Sequence, residues 1–158
     1  GHSPGHICLW ESEHKILFSG DHILPGITPN ISYHVQSGDN PLGDFINSLD
    51  KLRNVPARLV LPAHENIFSN LKERIEQIKQ HHEERKAEIC RAISHEPQHA
   101  WYISSLITWN IPVPWEKFSP LDRRIAVTET IAHLEFMRWE GSVERLLQDG
   151  TIVYRVVR

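Results

Sequence analysis

No stretch of this sequence strings together the roughly 18 apolar residues that a membrane-spanning helix requires, and mean hydropathy is −0.38. Nor does the sequence start with a basic-then-apolar leader, so a cytoplasmic protein without membrane association is expected. Cysteine is scarce: Cys8 and Cys90 are the two copies, in unrelated segments. That excludes a disulfide framework and fits a reducing compartment. Positive charge is not in excess, since the formal net charge is −3. Residues 1–70 hold 4 Lys/Arg against 7 Asp/Glu, and residues 71–158 hold 13 against 13. Neither part carries the basic field expected of a dominant polyanion binder. No internal repeat and no low-complexity tract is present.

What is abundant is histidine, with 11 copies. Several fall in turns rich in Gly and Pro rather than on apolar faces, a placement that suits ligation better than packing. The surrounding pattern gives short strands over Ile7–Glu11 and Lys15–Ser19, then a long loop from Gly20 to Pro41. Leu42, Phe45, Ile46, Leu49 and Leu52 predict an amphipathic helix over Pro41–Leu52, and Arg58–Leu61 reads as a strand. Asn70 and Glu73 open a long helix whose face runs Leu71, Ile75, Ile78, His82, Arg85, Ile89 and Ile93. A second helix is expected over His99–Thr108, and a third after Ser119-Pro120, until Gly141. Val143–Leu147 and Ile152–Val157 then form a hairpin about Asp149-Gly150. Three helices followed by a hairpin is the winged-helix order, and Trp101, Trp109, Trp115 and Trp139 are expected in its core. The expected division is residues 1–80 and 81–158.

Three segments carry the chemistry. Gly1-His2-Ser3-Pro4-Gly5-His6 precedes a strand, Ser19-Gly20-Asp21-His22 ends the next, and Pro62-Ala63-His64-Glu65 ends a third. Each sets a His or Asp at a strand end beside a small residue, where the backbone can turn sharply and leave room for an ion. Imidazole nitrogen and carboxylate oxygen are good zinc ligands, and strand ends hold them rigidly.

In this order GHSPGH, SGDH and PAHE resemble the later metal-binding motifs of the metallo-β-lactamase superfamily, over roughly residues 1–70. The resemblance implies an α/β fold: half of an αββα sandwich, followed by an α+β winged-helix domain. It implies one or two zinc ions, with His2 ligating one, Asp21 bridging the two and His64 completing the ligand set of the second metal. His6 falls beside a ligand position, and His22, opening the long loop, is the candidate substrate contact. The superfamily's His-x-His-x-Asp-His cluster is absent from the sequence. The chain is therefore expected to be a C-terminal half without the water-orienting catalytic residues, needing its missing N-terminal half as partner or associating with itself.

The implied activity is hydrolysis of a small-molecule ester, thioester or lactone, in which the metals acidify water and polarise the scissile carbonyl. A metal-dependent endoribonuclease or phosphodiesterase is the alternative, and a non-catalytic winged-helix nucleic-acid module another. The balanced charge of the third helix, where Arg123, Arg124 and Arg138 share space with Asp122, Glu129 and Glu135, disfavours both. His81 and His82 are expected on a partly exposed helix face.

Overall fold

A computed structural model describes residues 1–157 of the protein. The chain folds as two compact units, Gly1–Ile31 with Gly43–His81, and Ser32–Leu42 with the chain from His82 onward.

The first unit is built on a three-stranded sheet in the order β1 (Leu9–Glu11), β2 (Ile16–Gly20), β3 (Leu59–Pro62). β1 and β2 are antiparallel, with Leu9 opposite Phe18, whereas β2 and β3 are parallel, with Leu17 opposite Val60. A parallel pair needs a crossover, supplied by the segment that includes α1 (Pro41–Leu52). Alternation decides the faces: Leu17 and Val60 are fully buried, while Leu9 and Phe18 on the opposite face are 58% and 44% exposed. α1 buries Phe45 and Leu49, and the long helix α2 (Leu71–Ala92) buries Leu71, Ile75 and Ile78 within this unit. β1 is shorter than the apolar run that announced it: Ile7 and Cys8 lie in irregular chain ahead of the strand.

The second unit contains the rest of α2, α3 (Ala100–Leu106), α4 (Pro120–Trp139), β4 (Val143–Gln148) and β5 (Thr151–Val156). Its core is Ile89, Ile93, Ile103, Ile107, Leu134, Met137, Val143 and Tyr154. Caps fix the helix starts. His99 Nδ1 accepts from the Tyr102 amide, and Ser119 and Asp122 form a reciprocal capping box with Pro120 at the first turn. Asp149 and Gly150, at φ 48° and 77°, make the left-handed turn between β4 and β5. Gln98 exchanges both backbone hydrogen bonds with Tyr154, adding a one-residue strand to β5. Ser32 and Tyr33 bond to Thr128 on α4, so part of the long loop belongs to this unit.

Two expectations need correction. Trp101 and Trp139 are 48% and 61% exposed rather than core. Each lies two residues from a buried position, Ile103 and Met137, and two residues along a helix turn the side chain by about 200°. His82, expected on a partly exposed face, is 2% exposed and stands 3.0 Å from Nε2 of the fully buried His133. His133 Nδ1 lies 2.9 Å from the Glu129 carbonyl, which can only accept, so that nitrogen carries the proton. The His133 Nε2 then accepts from His82 Nδ1–H. A hydrogen-bonded pair of tilted imidazoles thus fills what reads as a polar position.

Candidate metal centre

Three turns meet at one end of the first unit's sheet. The GHSPGH turn closes with the His6 amide donating to the Ser3 carbonyl at 3.0 Å, and Gly5 takes φ 83°. β2 ends at Gly20, whose φ of 55° favours glycine, and the His22 amide returns to the Ser19 carbonyl. The Ala63 amide donates to the Gly20 carbonyl at 3.0 Å, tying the end of β3 to the end of β2. Parallel strands thereby deliver Asp21 and His64 side by side, as the carboxyl ends of adjacent strands must.

The His64 Nε2 lies 3.3 Å from Asp21 Oδ1, with Asp21 one-third exposed and His64 mostly exposed. His2 reaches the group through His6, whose ring stands edge-on to it at 6.0 Å between centroids. His6 Nε2 in turn accepts from the Asp21 amide at 3.2 Å. His2, Asp21 and His64 do not share a point to within 4.8 Å; among the described residues the group that tight is Glu11, Glu13 and His14. That group is a hairpin turn. The two Glu11 oxygens accept from the Glu13 and His14 amides at 2.6 and 2.8 Å, and these bonds hold its carboxyl below the usual range.

His22 is buried, 1% exposed, edge-on to Phe45 at 5.0 Å, and presents no face to solvent. Burial pushes its imidazole down to about 4, and the Ser48 carbonyl opposes the shift. A Cβ at Gly1 would lie 2.1 Å from His22 Nδ1, so only glycine lets the first turn close over this ring.

The donor set suits a divalent cation. His2 Nδ1 and Asp21 Oδ1 are buried atoms without a hydrogen-bond partner. Buried polar atoms are rarely left so, and imidazole with carboxylate is a ligand chemistry for zinc-class ions.

Two residues that shape the site escape motif reading. Glu65, at φ 67°, turns its carboxylate back to accept from the Gly26 and Ile27 amides at 2.9 and 3.3 Å. Arg74, 8% exposed, donates to the Leu24 and Ile27 carbonyls at 2.6 and 2.8 Å. The signal for Arg74 was an arginine on the Leu71–Ile75–Ile78 face of α2; Glu65 stood in the PAHE motif, which gave it no role of its own.

Residues 1–64 match the family model described as the metallo-beta-lactamase superfamily. Over those residues the chain belongs to that superfamily. A solved structure, that of a beta-lactamase domain protein from Burkholderia ambifaria, is 31% identical with a TM-score of 0.89, the match covering 99% of this chain and 46% of that one. A probable metallo-hydrolase of Bacillus subtilis, YqjP, is 22% identical over 162 aligned positions, all of this chain and 49% of that protein. An atrochrysone carboxyl ACP thioesterase of Aspergillus fumigatus is 25% identical over 93 residues, 59% of this chain and 27% of that protein. The chain spans less than half the length of each of these superfamily relatives. Membership implies binding of a divalent metal. Among the described residues no helix is long and apolar enough to cross a membrane.

Proposed function

We propose that this chain contributes His2, Asp21 and His64 to the zinc centre, of one or two ions, of a hydrolase acting on a small ester, thioester or lactone. The observation that carries the reading is the 3.3 Å approach of His64 Nε2 to a buried Asp21 oxygen that no hydrogen-bond donor satisfies. A zinc ion bound there supplies Lewis acidity, polarising a carbonyl oxygen and acidifying water. The chain's own residues would do the holding: Asp21 offers a carboxylate at the ends of β2 and β3, and His64 and His2 offer imidazole nitrogens. The thioesterase among the relatives supports an acyl substrate.

The second unit is read as a winged helix. Supporting this are three helices followed by a hairpin, with Gln98 pairing to Tyr154 as the short strand between the first two helices. A covering partner is read from the sheet: Leu9 and Phe18 are cross-strand neighbours on an open apolar face, with Ile7 70% exposed beside them. A second sheet, from the other half of the fold or from another copy, is the occupant of that face.

The test is metal content and hydrolysis measured on the intact protein. Stoichiometric zinc with turnover of p-nitrophenyl acetate or an acyl thioester, both lost in Asp21→Asn and His64→Ala, is the expected result. Metal-free protein, or activity unchanged in both variants, overturns the reading. Salt-sensitive RNA cleavage in place of ester turnover moves it to the ribonuclease class.

A further inference from the structure

We propose that His6 is a positioning residue that aims Asp21, rather than a ligand or a packing histidine. The inference rests on the metal-centre reading above, but its geometry stands without a metal.

His6 Nε2 accepts a hydrogen bond from the Asp21 amide at 3.2 Å. An imidazole that accepts at Nε2 carries its proton on Nδ1 when neutral, so this single bond fixes the tautomer. A protonated ring, with hydrogen on both nitrogens, could not accept this bond at all. The main chain of Asp21 is therefore pinned one bond from the Cα that carries the carboxylate.

The surroundings are built for this contact. Gly20, immediately before Asp21, has φ 55°, and a Cβ there would lie 2.6 Å from His6 Nε2. Any other residue at 20 would strain the backbone and drive the imidazole off the amide. On its other sides the His6 ring meets His2 at 6.0 Å and His22 at 6.1 Å between centroids. One ring thus sets the separation between the turn carrying His2 and the turn carrying Asp21. A partner that orients a ligand through its backbone matters to affinity for the same reason as one that orients it through the side chain. Loss of such partners typically costs roughly 10- to 100-fold in metal affinity.

The experiment compares His6→Gln with His6→Asn in the intact protein. A glutamine places its amide oxygen near the position of Nε2, whereas an asparagine places it near Nδ1, so the two differ chiefly in where the acceptor falls. The first readout needs no metal: the NMR shift of the Asp21 amide proton in metal-free protein. The second is Co²⁺ alone, titrated by its visible absorption. His6→Gln is expected to keep the downfield amide shift and Co²⁺ affinity within about threefold of the parent. His6→Asn is expected to move the shift upfield and to lose roughly tenfold or more in affinity, with an altered cobalt spectrum. Equal behaviour of the two variants, whether both intact or both impaired, overturns the positioning role. Failure of the metal-centre reading looks different: Asp21→Asn and His64→Ala leave Co²⁺ binding unchanged.

Discussion

Glu135 offers the sharpest test of how the second unit is held. Its carboxylate is 1% exposed and accepts from three donors, Arg138 Nε at 2.6 Å, Arg145 Nη1 at 3.1 Å and the Tyr154 hydroxyl at 2.9 Å. The donors are not equal. The arginine side chains are 36% and 42% exposed and can turn to water, so each pairing contributes roughly 0–1 kcal/mol. Tyr154 is 3% exposed and cannot. Its bond to a buried charge is worth about 1.5–3 kcal/mol. Glu135→Gln removes the charge and turns an amide N–H₂ toward one of the donors, for an expected loss of about 2–4 kcal/mol. Tyr154→Phe is expected to lose about 1.5–3 kcal/mol. Because Tyr154→Phe deletes the bond that Glu135→Gln weakens, the double variant should fall short of additivity by about 1–2 kcal/mol. Urea unfolding followed by tryptophan fluorescence reads this directly. Additivity to within about 0.5 kcal/mol would refute the reasoning, as would a Glu135→Gln variant as stable as the parent.

Burial first, then the Glu135 charge and hydrogen bond, raise the Tyr154 phenol above its ordinary value of 10.0. The unfolded chain therefore releases that proton first, so stability is unaffected below about pH 10 and falls as pH rises beyond it. Ultraviolet titration should show one of the three tyrosines lagging, and Tyr154→Phe should flatten the alkaline loss. In the first unit, Glu65→Ala should raise the hydrogen-exchange rates of the Gly26 and Ile27 amides several-fold while leaving those of β2 unchanged. Exchange unaltered at both amides would remove Glu65 from the account.

The ends of the regular elements were largely legible because local chemistry writes them. Ser119-Pro120 with Asp122 announces α4, and α1 spans the Pro41–Leu52 range that its apolar spacing gives. The turns carrying His2, Asp21 and His64 were legible for the same reason, since small residues at strand ends are local signals. What escaped was contact at long range. The His82–His133 pair lies 51 residues apart in sequence, and the Arg74 bond to Leu24 spans 50. Nothing in either segment names the other. Exposure of Trp101 and Trp139 escaped as well, because hydrophobicity alone does not say which side of a helix meets solvent.

The segment following Asp21 is fastened from both sides, its carbonyls by Arg74 and its amides by Glu65. Swinging it aside as a flap would break those four bonds together and strand a buried cation. The rim of the site is thus fixed masonry, and any gate that admits a reactant has to be hung elsewhere on the perimeter.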